Sequence, residues 1–184
     1  MTFEDIIAKL PKPYYQDDVV AIFCADCRDI LPLIPDKSVG LSFTSPPYNR
    51  KRNDTYKFYD DRIDDYYEFL LGICHELMRL SSRWSFINLQ KNYYNKIDVF
   101  RLIGDLADRI LDLFIWGKHN PTPAGGKTIT NAYEMFMVLG EVPLLASHTY
   151  IKNLIVTGVN NEMPSEHSAV MRPDIADFFL TNFT

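Results

Sequence analysis

Residues 39–49 read Val-Gly-Leu-Ser-Phe-Thr-Ser-Pro-Pro-Tyr-Asn, and this stretch limits the fold more than any other. Val39 to Phe43 is a short apolar run of the kind that makes a buried strand. Pro46 and Pro47 stop it, because proline has no N–H to give a ladder and fixes its own φ. The chain must turn there, with carbonyls and side chains aimed off the end of the sheet. Tyr48 adds a flat aromatic face. A cluster of acceptors beside a ring, at the carboxyl end of a strand, sits where α/β proteins bind ligands. Taken alone, the two prolines also fit a plain rigid turn or a polyproline ligand.

The rest of the chain alternates between two periods. Val19 to Phe23 reads as a buried strand running into a helix that starts near Cys24, with Asp26 as its N-cap and Leu31, Leu33 and Ile34 facing the core. Phe3 to Leu10 has helical spacing and ends at Pro11. Asp64 to Leu80 carries Tyr66, Phe69, Leu70, Ile73, Leu77 and Leu80 at intervals of three and four, which predicts one apolar helix face. Strands are expected at 84–89, 110–116 and 132–139, with an extra one near 150–156. Helices are expected at 93–109, with Ile97, Phe100, Leu102, Ile103 and Leu106 available for packing, and at 174–180. This order predicts an α/β domain with a mostly parallel sheet flanked by helices.

Composition narrows the class. The 184 residues suffice for one domain with a true core, and 47% hydrophobic with 23% charged residues is ordinary for a globular chain. No apolar run of membrane-spanning length is present and no signal peptide opens the chain, so a cytoplasmic location is expected. Three cysteines, an odd number, fit a reducing compartment. Cys24 and Cys27 form a lone Cys-x-x-Cys with no second ligand pair, so no metal site is expected. The net charge of −5 is unusual for a free-standing DNA binder, though a local basic patch can offset it.

Thr44-Ser45-Pro46-Pro47-Tyr48-Asn49 resembles the catalytic motif of the DNA amino-methyltransferases, in the permuted class that carries this turn near the N-terminus. That resemblance implies a partial Rossmann-like S-adenosylmethionine-dependent methyltransferase fold and a base-flipping mechanism. Ser45 and the Pro46 carbonyl, with Pro47 stiffening the turn and Tyr48 stacking on the base, would be the catalytic set. Ser45 favours N4 of cytosine as the target; enzymes for N6 of adenine more often carry Asp there. C5-cytosine chemistry needs a cysteine after a proline, and none of the three cysteines has that position.

The resemblance extends along the chain. Asp26-Cys27 implies a contact with the cofactor's adenine, and Thr44 and Asn49 flank the same pocket. Trp116-Gly117-Lys118-His119-Asn120-Pro121 matches a further family segment, as does Tyr133-Glu134 entering a strand. His167-Ser168-Ala169, followed by Pro173, implies a cofactor-side element; His167 reads as structural rather than as a general base. Arg50, Lys51, Arg52, Lys118, His119, Asn120 and Lys127 are the expected DNA contacts, with target recognition around 118–165. Gly125-Gly126-Lys127-Thr128 is not a phosphate loop, because Pro121 stands where its first glycine belongs.

One family element is not found. The permuted class continues into Asp-Pro-Phe and a Gly-x-Gly turn, and the eight glycines here include no Gly-x-Gly. The 184 residues are therefore expected to form a single incomplete catalytic domain. A second polypeptide or self-association would supply the rest of the cofactor site. The alternative from another class is a non-catalytic DNA-binding subunit or an inactive relic.

Overall fold

A computed structural model describes residues 2–50, 60–121, 123, 129–146, 150–158 and 171–183. Its centre is a five-stranded sheet. The strands are β3 (Val39–Thr44), β4 (Ser81–Leu89), β5 (Ile110–Lys118), β6 (Tyr133–Gly140) and β7 (Leu154–Thr157), ordered β3-β4-β6-β5-β7. β3 and β4 are parallel, β5 and β7 are parallel, and β6 runs antiparallel to both neighbours. Four of the five strands thus point one way, and the reversed β6 is inserted between β4 and β5.

Period-two alternation gives each inner strand two different faces. Ile87 and Leu89 of β4 and Met135, Met137 and Leu139 of β6 join one cluster with Tyr66, Leu70, Ile73, Leu77 and Leu80. Those last residues belong to α3 (Tyr66–Leu80), and the predicted three–four spacing is its buried stripe. α4 (Lys96–Asp105) closes the same face with Val99 and Leu102. Trp84 and Phe86 of β4, Phe114 and Trp116 of β5, and Phe136 and Val138 of β6 form the other face. There α5 (Pro173–Phe183) inserts Ile175, Phe179 and Phe183. The Phe136 and Phe179 rings lie 4.5 Å apart, inside the range for favourable aromatic pairs.

Several expectations are corrected. The 19–23 run is not a buried strand of the main sheet. β1 (Tyr15–Gln16) and β2 (Ala21–Ile22) form a separate antiparallel pair, which leaves Val19 79% exposed and Ile22 50% exposed. Asp17 Oδ1 accepts from the backbone N–H groups of Val19 and Val20, so a local turn wins over a long strand. The following helix, α2, covers only Cys27–Ile30 before a 3-10 turn at Leu31–Leu33 that leaves Leu33 45% exposed. The helix expected over 93–109 is shorter. Val99, Leu102 and Leu106 define its inner face, which turns Ile97 and Phe100 outward. The first helix, α1, spans Phe3–Ile7 behind a Thr2/Asp5 capping box. Among the described residues no helix is long and apolar enough to cross a membrane.

Candidate active site

The carboxyl ends of β3, β4 and β5 lie along one edge of the sheet, and the reversed β6 brings its first residues to the same edge. On the α5 face, side chains of like parity turn polar there. β4 goes from Phe86 to Asn88 and then Gln90; β5 goes from Trp116 to Lys118; β6 begins at Glu134 before Phe136. These polar groups are deeply placed: Asn88 is fully buried, Glu134 is 5% exposed and Gln90 is 9% exposed. Buried groups of this kind must find partners or cost stability.

Their partners include the turn. Ser45 is exposed, yet its hydroxyl donates inward to Asn88 Oδ1 at 3.1 Å and lies 3.1 Å from the Tyr48 phenol oxygen. Tyr48 Oη reaches Asn88 Oδ1 and donates to Glu134 Oε2 at 2.9 Å. The other carboxylate oxygen, Oε1, accepts from Lys118 Nζ, and from Gln90 Nε2 at 3.3 Å. The Lys118–Glu134 ion pair is largely withdrawn from solvent, with side-chain exposures of 15% and 6%. Lys118 also stands 4.6 Å over the Trp116 ring. Burial, then the Glu134 charge, pushes the Tyr48 phenol well above its ordinary pKa, so it stays protonated.

Backbone pins hold the turn. The Pro47 carbonyl accepts from Tyr66 Oη at 2.6 Å, and the Tyr48 carbonyl accepts from Asn92 Nδ2 and Asn95 Nδ2 at 2.7 and 2.8 Å. Among the described residues, no donor reaches the Pro46 carbonyl. Asn49 adopts the left-handed conformation at φ 47°, which Asn tolerates better than most residues. Its side chain clasps Ile63 at both backbone N–H and C=O, at 3.2 and 3.0 Å. Arg50 donates its N–H to Asp61 Oδ2 at 2.7 Å, and its guanidinium to Gln90 Oε1 at 2.6 Å.

The expected site residues fall into three groups. Ser45, Pro46, Pro47 and Tyr48 sit together on the turn at the end of β3, next to Thr44. The Tyr48 ring, expected to face a base, is 7% exposed and has the Arg50 guanidinium 5.8 Å from its centroid. Asn49 is 2% exposed and committed to Ile63. Lys118 points into the ion pair, whereas His119 and Asn120 are exposed just beyond β5. Lys51, Arg52, Lys127, His167, Ser168 and Ala169 lie outside the described residues.

For the cofactor, Asp26 is the described acceptor. It caps α2 through the Arg28 N–H at 2.9 Å and holds the Arg28 guanidinium, and the Arg28 hydrogen bonds lower its carboxyl to about pKa 2. Its side chain is 41% exposed and ionised, which suits an adenine amino group. Cys27 beside it is exposed, with its thiol raised by partial burial. Both Asp26 carboxylate oxygens are shared with Arg28, so an adenine amino group would compete with that guanidinium. Among the described residues no glycine turn cradles the amino-acid end.

Asn88, Gln90 and Glu134 carry the site's polarity; the sequence reading placed Asn88 in a strand and matched Tyr133-Glu134 to a family segment, with no role for Gln90. Their signal is visible afterwards: polar residues at the buried parity of otherwise apolar strands.

Comparison with known proteins agrees with this fold. The fold is similar to that of the PvuII DNA methyltransferase (cytosine-N4-specific), with a TM-score of 0.74 at 17% identity, covering 94% of this chain and 73% of that one. The type II methyltransferase M.HinfI of Haemophilus influenzae is 27% identical over 144 residues, 68% of this chain and 39% of that protein. M.SfiI of Streptomyces fimbriatus is 35% identical over 83 residues, 41% of this chain and 19% of that protein. M.MwoI of Methanothermobacter wolfeii is 30% identical over 136 residues, 65% of this chain and 20% of that protein. The chain thus spans between about a fifth and two fifths of the length of these relatives. The family model for DNA methylases matches residues 39–171, well over half of the chain, which places this protein in the N6/N4 DNA methylase family.

Proposed function

We propose that this chain methylates the exocyclic amino group of a DNA base, N4 of cytosine, with S-adenosylmethionine as donor. The observation that carries the reading is the pairing of the exposed residue Ser45 with a buried Pro46 whose carbonyl takes no hydrogen bond from a described residue, while the next two carbonyls are taken. An exocyclic amine is a weak nucleophile because its lone pair is delocalised into the ring. Two acceptors aimed at its N–H groups localise that pair on nitrogen. Such preorganised groups are usually the largest catalytic contribution. The base must leave the duplex to reach them. Stacking on Tyr48 then requires Arg50 to move off the ring.

The cofactor supplies an electrophilic methyl carbon on a sulfonium. Asp26 holds the adenine end, and the stiff Pro46-Pro47 turn fixes the amine for in-line attack. His119 and Asn120 reach DNA from the exposed end of β5. β3 is an edge strand of the sheet, and we propose that it receives a further strand, from a second polypeptide or another part of the same protein, which completes the cofactor pocket.

The test is calorimetry with S-adenosylmethionine, alone and with the product of the neighbouring reading frame, followed by mapping of methylated bases. Tight binding and N4-methylcytosine support the reading. Methylation of adenine alone replaces the target base. No binding under either condition supports a non-catalytic subunit.

A further inference from the structure

The network behind the turn leads from an exposed hydroxyl to a buried carboxylate, and its bonding is asymmetric. Glu134 Oε1 is occupied by Lys118 and Gln90, while Oε2 faces only Tyr48 Oη among the described residues. Asn88 Oδ1 lies within bonding distance of both the Ser45 and Tyr48 hydroxyls and holds them side by side. Neither hydroxyl is a base by itself. Together they connect one.

We propose that Ser45, Tyr48 and Glu134 form a proton relay that removes the proton released when the base amine is methylated. This deepens the functional reading above and rests on it. As the amine nitrogen bonds the methyl carbon, the carbon–sulfur bond breaks with its electron pair going to sulfur. The nitrogen is left cationic with one N–H too many. The Ser45 hydroxyl first turns its proton from Asn88 Oδ1 to Tyr48 Oη, 3.1 Å away; Ser45 Oγ then accepts the amine's proton as it passes its own to the phenol, and the phenol's original proton moves to Glu134 Oε2. The relay ends with a neutral hydroxyl, a neutral phenol and a neutral carboxylic acid, and the methylated amine is neutral too. Ser45 and Tyr48 touch the base and are the catalytic residues; Glu134 acts through them and is a positioning residue. The raised phenol suits this role, since it passes protons on without becoming a phenolate. Among the described residues, Arg50 and Glu134 are the charged groups facing the phenol, and Lys118 is the one facing Glu134.

The test compares wild type, Tyr48→Phe and Glu134→Gln in the full chain, with its partner polypeptide if activity needs one. The expected result is a fall in kcat of about 10²- to 10⁴-fold, the range of general acid–base catalysis, with KM for DNA unchanged. A second readout needs no activity: in ¹³C-tyrosine spectra, assigned with Tyr48→Phe, Glu134→Gln should shift the Tyr48 phenol titration downward. If the single variant does not fold, Lys118→Met with Glu134→Gln removes the stranded charge and carries the same measurements. Variants that keep wild-type kcat overturn the relay alone. A wild-type protein that methylates no base overturns the functional reading, and the relay's role with it.

Discussion

The α5 face of the sheet behaves as two different materials along the same strands. In its middle, Phe86, Phe114 and Phe136 each pack ring to ring against Phe179. Further along, at the carboxyl edge, Asn88 and Glu134 are buried, Lys118 is largely withdrawn from solvent, and these polar groups depend on the network they share for satisfaction. The first region gains stability from area and packing, which tolerate substitution by degrees. The second is an all-or-none assembly, since removing one partner strands the others. A chain keeps such an edge for what it presents at the surface, here the Ser45 hydroxyl.

The largest expected effect belongs to the aromatic region. Phe136→Ala removes a fully buried ring that packs on Phe43 and Phe179 and should cost about 3–5 kcal/mol in urea denaturation. A cost below about 1 kcal/mol would erase the contrast. At the edge, Lys118→Met leaves Glu134 buried and unpaired and should cost roughly 3 kcal/mol. Lys118→Met with Glu134→Gln should recover most of that in the same assay. Equal losses in single and double variants would mean that the edge is not a coupled unit.

Ser45→Ala separates the two regions differently. The residue is exposed, so stability should move by less than about 1 kcal/mol, while methyl transfer should fall roughly 10²- to 10³-fold, the usual loss for one stabilising donor or acceptor. Steady-state kinetics beside a thermal melt reads both.

Alkaline pH should loosen the opposite, aliphatic face. Burial pushes the Cys74 thiol up to about 12, and burial raises Tyr66 as well. These groups keep their protons in the folded chain at pH values where the unfolded chain has lost them. Their contribution is complete below the unfolded thiol's pKa of about 8.5 and drains away as pH climbs toward 12. Denaturation midpoints across that window check this, and Cys74→Ser should flatten the lower part of the decline. The smallest effect is expected at Asp26→Ala, about 0.5–1 kcal/mol from a lost cap on a four-residue helix.

Much of this contrast can be read from residues. The α3 stripe is legible because Tyr66, Leu70, Ile73, Cys74, Leu77 and Leu80 repeat the helical period for its whole length. The turn is legible because Pro46-Pro47 cannot continue the β3 ladder. The β1–β2 pair is not, since a five-residue apolar run looks alike whether a sheet or solvent adjoins it, and Asp17 decides the matter through its own backbone contacts. The edge network was hidden for another reason. Asn88 on β4 and Glu134 on β6 are 46 positions apart, and only the reversed direction of β6 brings both to the end of β3.

The central claim is that the turn at Ser45 and Pro46 presents acceptors to a nucleobase amine. It is tested most directly by incubating duplex DNA with the protein, any required partner and S-adenosylmethionine, then digesting to nucleosides for mass spectrometry. The account predicts N4-methylcytosine with wild type and its near-complete loss with Ser45→Ala in a folded protein. Full methylation by Ser45→Ala, or methyl groups found only on ring carbon, would contradict it.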